Sequence, residues 1–213
     1  MIADPHSNTT TTTTTTNTHI HVGLLRHGTT DDAGRAMLRG RRDDALTATG
    51  WAQMRAAVAD EPPVWDTIVT SPLRRCAAFA RELATARGLP LSIDKRFAEL
   101  DFGTWDGRTI DELMQDAKDA EALRHFWRDP WHNPPPQGES LVAFETRVRA
   151  AWRDLLTAYV GRRVLLVSHG GVIRLVLCAM QGLPRSRLLT LEVAHASLHR
   201  VEAIALPVIH NDD

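Results

Sequence analysis

Two histidines stand at the ends of apolar segments that lie far apart in the chain. His27 lies in the segment LLRHGTT (24–30), and His169 lies in the segment VLLVSHGG (164–171). In each segment an imidazole ends a predicted strand and is followed by glycine, which lets the backbone approach a ligand closely. An imidazole beside a guanidinium group can hold a phosphoryl group and attack its phosphorus. The two segments together predict a phosphate site.

Arginine side chains supply the positive charge that such a site needs. Arg26 precedes His27, and Arg75 lies near the start of a predicted helix in TSPLRRC (70–76), where backbone N–H groups also favour anions. The neighbouring Arg74 is the alternative to Arg75. Two guanidinium forks can hold phosphoryl oxygens while a neutral imidazole attacks near pH 7. The sequence shows no clustered carboxylates for a divalent ion, so we expect neither a metal ion nor a cofactor.

A carboxyl group must protonate the oxygen of the leaving alcohol, and Glu99 is the best-placed candidate. It lies between Phe97 and Phe102, before a glycine-rich turn. An apolar setting would keep this carboxyl group protonated, as a general acid requires. Asp101 or Asp106 can take this role if the loop runs differently.

Length and composition limit the class of protein. The chain has 213 residues, 43% of them hydrophobic, which suits one α/β domain and would be cramped for two. Its 25 basic and 26 acidic residues give no positive field for nonspecific nucleic-acid binding. No apolar stretch approaches the roughly 20 residues of a membrane span, and Cys76 and Cys178 lack the spacing of metal ligands. We therefore expect a cytoplasmic protein without nucleic-acid or membrane partners, and we leave a homodimer open.

Alternating patterns predict the elements that position these residues. The first strand carries Ile20, Val22 and Leu24, and further strands are predicted at about 67–70, 91–93, 163–168 and 197–205. Between them we predict a helix capped by Thr47 or Thr49, a helix with Pro72 in its first turn, and helices at about 109–127, 140–159 and 171–181. Strands that alternate with helices predict a three-layer α/β/α fold with a mostly parallel sheet.

The amino-terminal segment differs from the remainder of the chain. Residues 1–18 contain an unbroken threonine run at 9–16 and no apolar pattern. We expect this segment to be a disordered tail. Residues 19–213 are expected to form a single domain.

Four motifs, LLRHGTT, TSPLRRC, FAELDFGTWDG and VSHGG, stand in an order and spacing that resembles the histidine phosphatase superfamily, whose fold is called phosphoglycerate-mutase-like. The resemblance covers about residues 20–205. It implies that His27 becomes phosphorylated and that Glu99 donates the proton. It also implies that Arg26, Arg75 and His169 bind the phosphate.

Four further positions belong to the predicted substrate-binding rim. They are Thr29, Arg39, Gly40 and Gly170. Thr29 stands where the family often has glutamate, Ala33 where it often has asparagine, and Arg39 where a small hydroxyl residue usually precedes the glycine. These departures change the hydrogen bonding around the phosphate and leave the central residues in place. They bear on the substrate more than on the reaction.

Within the superfamily the chain resembles the α-ribazole phosphatases of cobalamin biosynthesis. The resemblance lies in LRGRRDDALTATGWAQM, TSPLRRC, FGTWDGRT and FWRDPWHNPPPQGES. It implies a phosphomonoester hydrolase that removes the 5′-phosphate of α-ribazole 5′-phosphate, a benzimidazole nucleotide, or of its cobamide form. The alternatives are a phosphoglycerate mutase or broad-specificity sugar phosphatase on the same fold, and a phosphate-binding module without activity. Trp127 and Trp131 can stack on a flat base or pack in the core, and the sequence does not decide between these roles.

Overall fold

A sheet of five strands organises the molecule. The structure, a computed structural model, describes residues 19–30, 34–59 and 65–204, so the predicted tail at 1–18 and the position of Ala33 lie outside the described residues. The strands are β1 (His19–Arg26), β2 (Thr67–Thr70), β3 (Leu91–Ile93), β4 (Arg163–Ser168) and β5 (Leu198–Ile204).

The order of the strands brings the motif-bearing ends together. The sheet has the order β3-β2-β4-β1-β5, in which β5 is antiparallel to β1 and the other neighbours are parallel. Arg26 pairs with Ser168 between β1 and β4, and Thr70 pairs with Val167 between β2 and β4. The carboxyl ends of three strands therefore meet at one edge, where ligands bind in open α/β sheets.

Helices cover both faces of the sheet. The α-helices within the described residues are α1 (Ala48–Ala57), α2 (Arg74–Arg87), α3 (Ile110–Gln115), α4 (Ala117–Arg128), α5 (Leu141–Ala158) and α6 (Gly170–Met180). Leu24 and Leu166 pack in one hydrophobic cluster with α5 and α6, whereas Leu25 and Leu165 pack in another with α1 and α2. Adjacent strand residues point to opposite faces, which produces the two clusters. The predicted three-layer α/β fold is confirmed.

The helix predicted at 109–127 is wrong in one respect, because the structure divides it into α3 and α4. Asp116 lies between them in an extended conformation, and its side chain accepts hydrogen bonds from the backbone N–H groups of Lys118 and Asp119. An N-cap of this kind starts a new helix in place of continuing the old one.

None of the helices in the described part of the chain combines the length and the apolar composition that a membrane span requires.

The start of α2 also differs from the prediction. Pro72 precedes the helix, which begins at Arg74 after the N-cap residue Leu73. Ser71 Oγ accepts a hydrogen bond from the backbone N–H of Leu73, and Asp43 accepts one from that of Arg74. These two acceptors satisfy N–H groups at the helix start, so the helix begins after Pro72, which the prediction had placed in its first turn.

Candidate active site

His27 directly follows β1, and one of its ring nitrogens has no hydrogen-bond partner among the described residues. Its side chain is buried, and its Nδ1–H donates a hydrogen bond of 2.8 Å to the carbonyl oxygen of Gly28. A carbonyl only accepts, so the proton sits on Nδ1 and Nε2 keeps its lone pair. Burial, aided by the positive charges of Arg75 and Arg26, holds the pKa of His27 well below its usual value. The imidazole is therefore neutral at pH 7.

Arg26 presents an unsatisfied donor beside His27. Its Nη1 donates to the carbonyl oxygen of Val193 at 2.6 Å, and its Nη2 donates to Nε2 of His195 at 3.1 Å. Its Nε is buried and has no hydrogen-bond partner in the part of the chain that the structure describes. That nitrogen lies 3.3 Å from where a Cβ atom on Gly170 would stand. A buried guanidinium N–H without a partner is suited to an oxyanion.

His169 and Arg75 form a fully buried pair behind His27. The ring centroids of the two histidines are 5.3 Å apart. Arg75 Nε donates to His169 Nδ1 at 3.2 Å, so His169 carries its proton on Nε2, which lies 2.6 Å from Ser71 Oγ. Burial, with the charge of Arg75, lowers the pKa of His169 well below its usual value. Both nitrogens of His169 are thus engaged inside the protein.

The remaining nitrogens of Arg75 hold a loop. Nη1 donates to the carbonyl oxygen of Arg42 at 2.6 Å, and Nη2 donates to that of Gly40 at 2.7 Å. Arg74, the alternative considered from the sequence, is exposed at the preceding position of the helix. The structure therefore places Arg75, and not Arg74, against His169, where its charge acts on His27 and its hydrogen bonds order the loop at 40–42.

The carboxylate of Glu99 contacts the amino end of α6. Its Oε1 accepts a hydrogen bond from the backbone N–H of Leu100, and its Oε2 accepts one from that of Gly171, each at 2.9 Å. A Cβ atom on Gly171 would overlap Oε1, so this approach requires glycine. The neighbouring phenylalanines predicted an apolar environment for the carboxyl group of Glu99. In the structure this group also accepts hydrogen bonds from the two backbone N–H groups.

The two alternative carboxylates, Asp101 and Asp106, accept hydrogen bonds from backbone N–H groups of loops. Asp101 accepts a hydrogen bond from the backbone N–H of Gly103, and Asp106 accepts three from residues 40–42. Glu99, by contrast, lines the same cleft as His27. No group of three His, Cys, Asp or Glu side chains that could hold a metal ion occurs among the described residues.

A cleft of about 280 Å³ joins most of the predicted site residues. Those that line it are Arg26, His27, Arg39, Glu99 and Gly170. The other four predicted residues do not line it: Arg75 and His169 lie buried behind His27, and the rim residues Thr29 and Gly40 have other contacts.

Thr29 donates to Gln53 on α1 through both its backbone N–H and its hydroxyl. Gly40 is buried against the carbonyl oxygen of Leu100, where a Cβ atom would clash. Neither residue is among those that line the cleft.

Among the cleft residues that were not predicted from the sequence are His195 and Arg174. His195 lies with its ring centroid 5.6 Å from that of His27, and burial together with Arg26 and Arg39 lowers its pKa to about 4. It belongs to a loop without a strand or helix pattern, so no sequence signal marks it. Arg174 lies one turn after Gly170 on α6, and the 3.6-residue helical period could have identified it.

Comparison with known proteins gives related sequences and structures over most of the chain. The family model of the histidine phosphatase superfamily (branch 1) matches residues 22–205. A glucosyl-3-phosphoglycerate phosphatase from Mycolicibacterium vanbaalenii is 36% identical over 171 residues, which are 76% of this chain and 74% of the relative. A probable phosphoglycerate mutase from Enterobacter sp. is 32% identical over 187 residues, which are 85% of this chain and 84% of the relative.

A solved structure agrees with the sequence comparison. The α-ribazole phosphatase from Shigella flexneri superposes with a TM-score of 0.73 and 29% sequence identity, over 84% of this chain and 89% of that one. The relatives share the fold, while their names specify different substrates.

Proposed function

The chain belongs to the histidine phosphatase superfamily, and on this premise we propose that it hydrolyses phosphomonoesters of small metabolites through a phosphohistidine at residue 27. One observation carries the proposal. The neutral imidazole of His27 shares a cleft with Glu99 and with Arg26, whose Nε has no partner among the described residues. A nucleophile, an oxyanion donor and an acid stand together in this arrangement.

In the first step the lone pair on His27 Nε2 attacks phosphorus. The bond between phosphorus and the ester oxygen breaks, and its electron pair passes to that oxygen. Glu99, in its protonated form, gives the leaving oxygen a proton, so the alcohol departs neutral. The guanidinium groups of Arg26 and Arg75 stabilise the negative charge that spreads over the phosphoryl oxygens.

In the second step a water molecule attacks the phosphorus of phosphohistidine. The carboxylate of Glu99 accepts a proton from that water, the N–P bond breaks, and its electron pair returns to Nε2. Inorganic phosphate leaves and Glu99 is protonated again. The scheme uses no metal ion, because arginine side chains supply the positive charge that a cation provides in other phosphoryl-transfer sites.

We propose α-ribazole 5′-phosphate as the substrate, and with it a cytoplasmic role in cobalamin biosynthesis. The sequence stretches shared with α-ribazole phosphatases and the similarity to the Shigella flexneri structure support this substrate. A phosphorylated sugar acid is the second candidate, since the relative from Mycolicibacterium vanbaalenii is named for one. Buried free cysteines at 76 and 178 fit a reducing compartment.

A phosphate-release screen tests the proposal. The wild-type protein is incubated in EDTA with α-ribazole 5′-phosphate, 3-phosphoglycerate and glucosyl-3-phosphoglycerate, and rapidly quenched samples are examined by mass spectrometry without acid. We expect phosphate release with a phosphoryl adduct at His27. Transfer of phosphate without release would instead indicate a mutase, and a strict need for added metal would contradict the scheme.

A further inference from the structure

A second cavity of about 240 Å³ adjoins the cleft that His27 and Glu99 line. Leu38, Glu99, Phe102 and Arg174 line both. The remaining lining residues are Leu100, Phe126, Trp127, Leu141, Phe144, Gly171, Leu188 and Leu189. Of all the residues that line this cavity, only Glu99 and Arg174 carry a charge, so we call it the apolar pocket.

The position of Glu99 determines which part of a substrate enters the apolar pocket. In the proposed function, phosphorus lies at His27 and the ester oxygen lies within reach of Glu99. The carbon atoms attached to that oxygen must then extend beyond Glu99, where the apolar pocket opens. We infer that this pocket binds the leaving alcohol and selects one with a planar, apolar ring. The inference rests on the proposed function.

The walls of the pocket favour this class of alcohol over a polar one. Aliphatic and aromatic side chains bury the surface of a ring favourably. The hydroxyl and carboxylate groups of a sugar acid would lose water there and find few polar partners on the described walls. The pocket therefore favours esters of aromatic or nucleoside alcohols over phosphoglycerates.

Trp127 is the residue best placed to stack on such a ring. It stands near the end of α4, lines the pocket and is 45% exposed, so one side of its indole remains available to a ligand. Trp131 has a different environment. It packs against the larger hydrophobic cluster, and the guanidinium group of Arg185 lies 4.3 Å from its ring centroid. Of the two roles that the sequence left open, the contacts favour stacking for Trp127 and packing for Trp131.

A pair of aryl esters tests this inference. Phenyl phosphate and 2-naphthyl phosphate have leaving groups of similar basicity, and the second differs by an added apolar ring. We expect the wild type to favour the naphthyl ester in kcat/KM by about tenfold, through a lower KM. Trp127→Ala should remove most of this preference, and Trp127→Phe should retain part of it. Met114→Ala, an exposed residue outside the pocket, is the matched control and should keep the full preference.

The outcomes separate this inference from the proposed function. Equal kcat/KM values for the two aryl esters, a higher value for 3-phosphoglycerate, or equal losses on both aryl esters in Trp127→Ala would overturn the inference. In each of those cases a phosphoryl adduct at His27 would still support the proposed function. If the wild type hydrolyses no ester and forms no adduct, the proposed function itself is wrong.

Discussion

His27 and His169 occupy matching places in the fold but have different surroundings. Each follows a buried parallel strand and precedes glycine, and the strands β1 and β4 are neighbours. His27 has one nitrogen bound to its own loop and the other without a partner in the described part of the chain. His169 has both nitrogens bound, one to Ser71 just before α2 and one to Arg75 in its first turn. Equivalent local sequences thus produce one imidazole that lines the cleft and one whose two nitrogens are both engaged inside the protein.

Replacing His27 is the strongest test of this difference. His27→Ala should lower phosphate release by at least about 10⁴-fold, because the Nε2 atom of His195, the other imidazole that lines the cleft among the described residues, is engaged by Arg26. The adduct should also disappear. Phosphate release and mass spectrometry measure both effects, with thermal unfolding as a check that the fold is retained. A variant that keeps substantial turnover would mean that His27 does not carry the phosphoryl group.

Replacing Glu99 shows whether its carboxyl group works with His27. Glu99→Gln should lower kcat by about 10³-fold for an alkyl phosphate, whose leaving oxygen needs a proton. The loss should be much smaller for p-nitrophenyl phosphate, which leaves as a stable anion. The ratio of the two losses is the measurement, and equal losses would show that Glu99 does not act as the acid.

Replacing His169 tests its supporting role. His169→Ala should leave the adduct at His27 detectable and lower kcat by at most about 100-fold, since the loss is one of position. It removes the partner of both Arg75 Nε and Ser71 Oγ, so stability should fall by about 1–3 kcal/mol. Ser71→Ala is the matched variant and should have the smaller effect on stability. Loss of the adduct in His169→Ala would make the two histidines equivalent and contradict the comparison.

Replacing His195 tests a smaller effect, the dependence of folding stability on pH. Its pKa in the folded protein is about 4, below the usual value of 6.5 in the unfolded chain. The unfolded state therefore binds more protons between these values, so stability falls as pH drops from about 6.5 to 4. His27 and His169 shift in the same direction. His195→Gln keeps an acceptor for Arg26 and should make this fall shallower, which thermal unfolding at pH 7 and pH 5 measures. An unchanged slope would show that His195 does not contribute.

The regular elements were predictable where local pattern decides them. Strands β1, β2 and β4 follow from short apolar runs, and Thr47 caps α1 through a hydrogen bond from the backbone N–H of Gly50. The break between α3 and α4 was missed because Asp116 can lie within a helix or cap one, and its environment decides which. The later start of α2 depends on Asp43, which is distant in the chain.

The sequence by itself determined the fold class and the residues that lie nearest the predicted chemistry. Apolar runs ending in Arg-His-Gly and His-Gly-Gly specify buried strands with reactive groups at their ends, because side-chain pattern and glycine placement are local properties.

Only the tertiary structure decided what each histidine contacts. The tautomer of His169 is set by Arg75, and Arg26 is held by Val193 and His195. Those partners come from loops and helices far away in the chain, and packing alone fixes their distances. The reactivity of a nitrogen depends on whether a neighbour occupies it, so chemistry at this edge of the sheet is a property of the assembled fold.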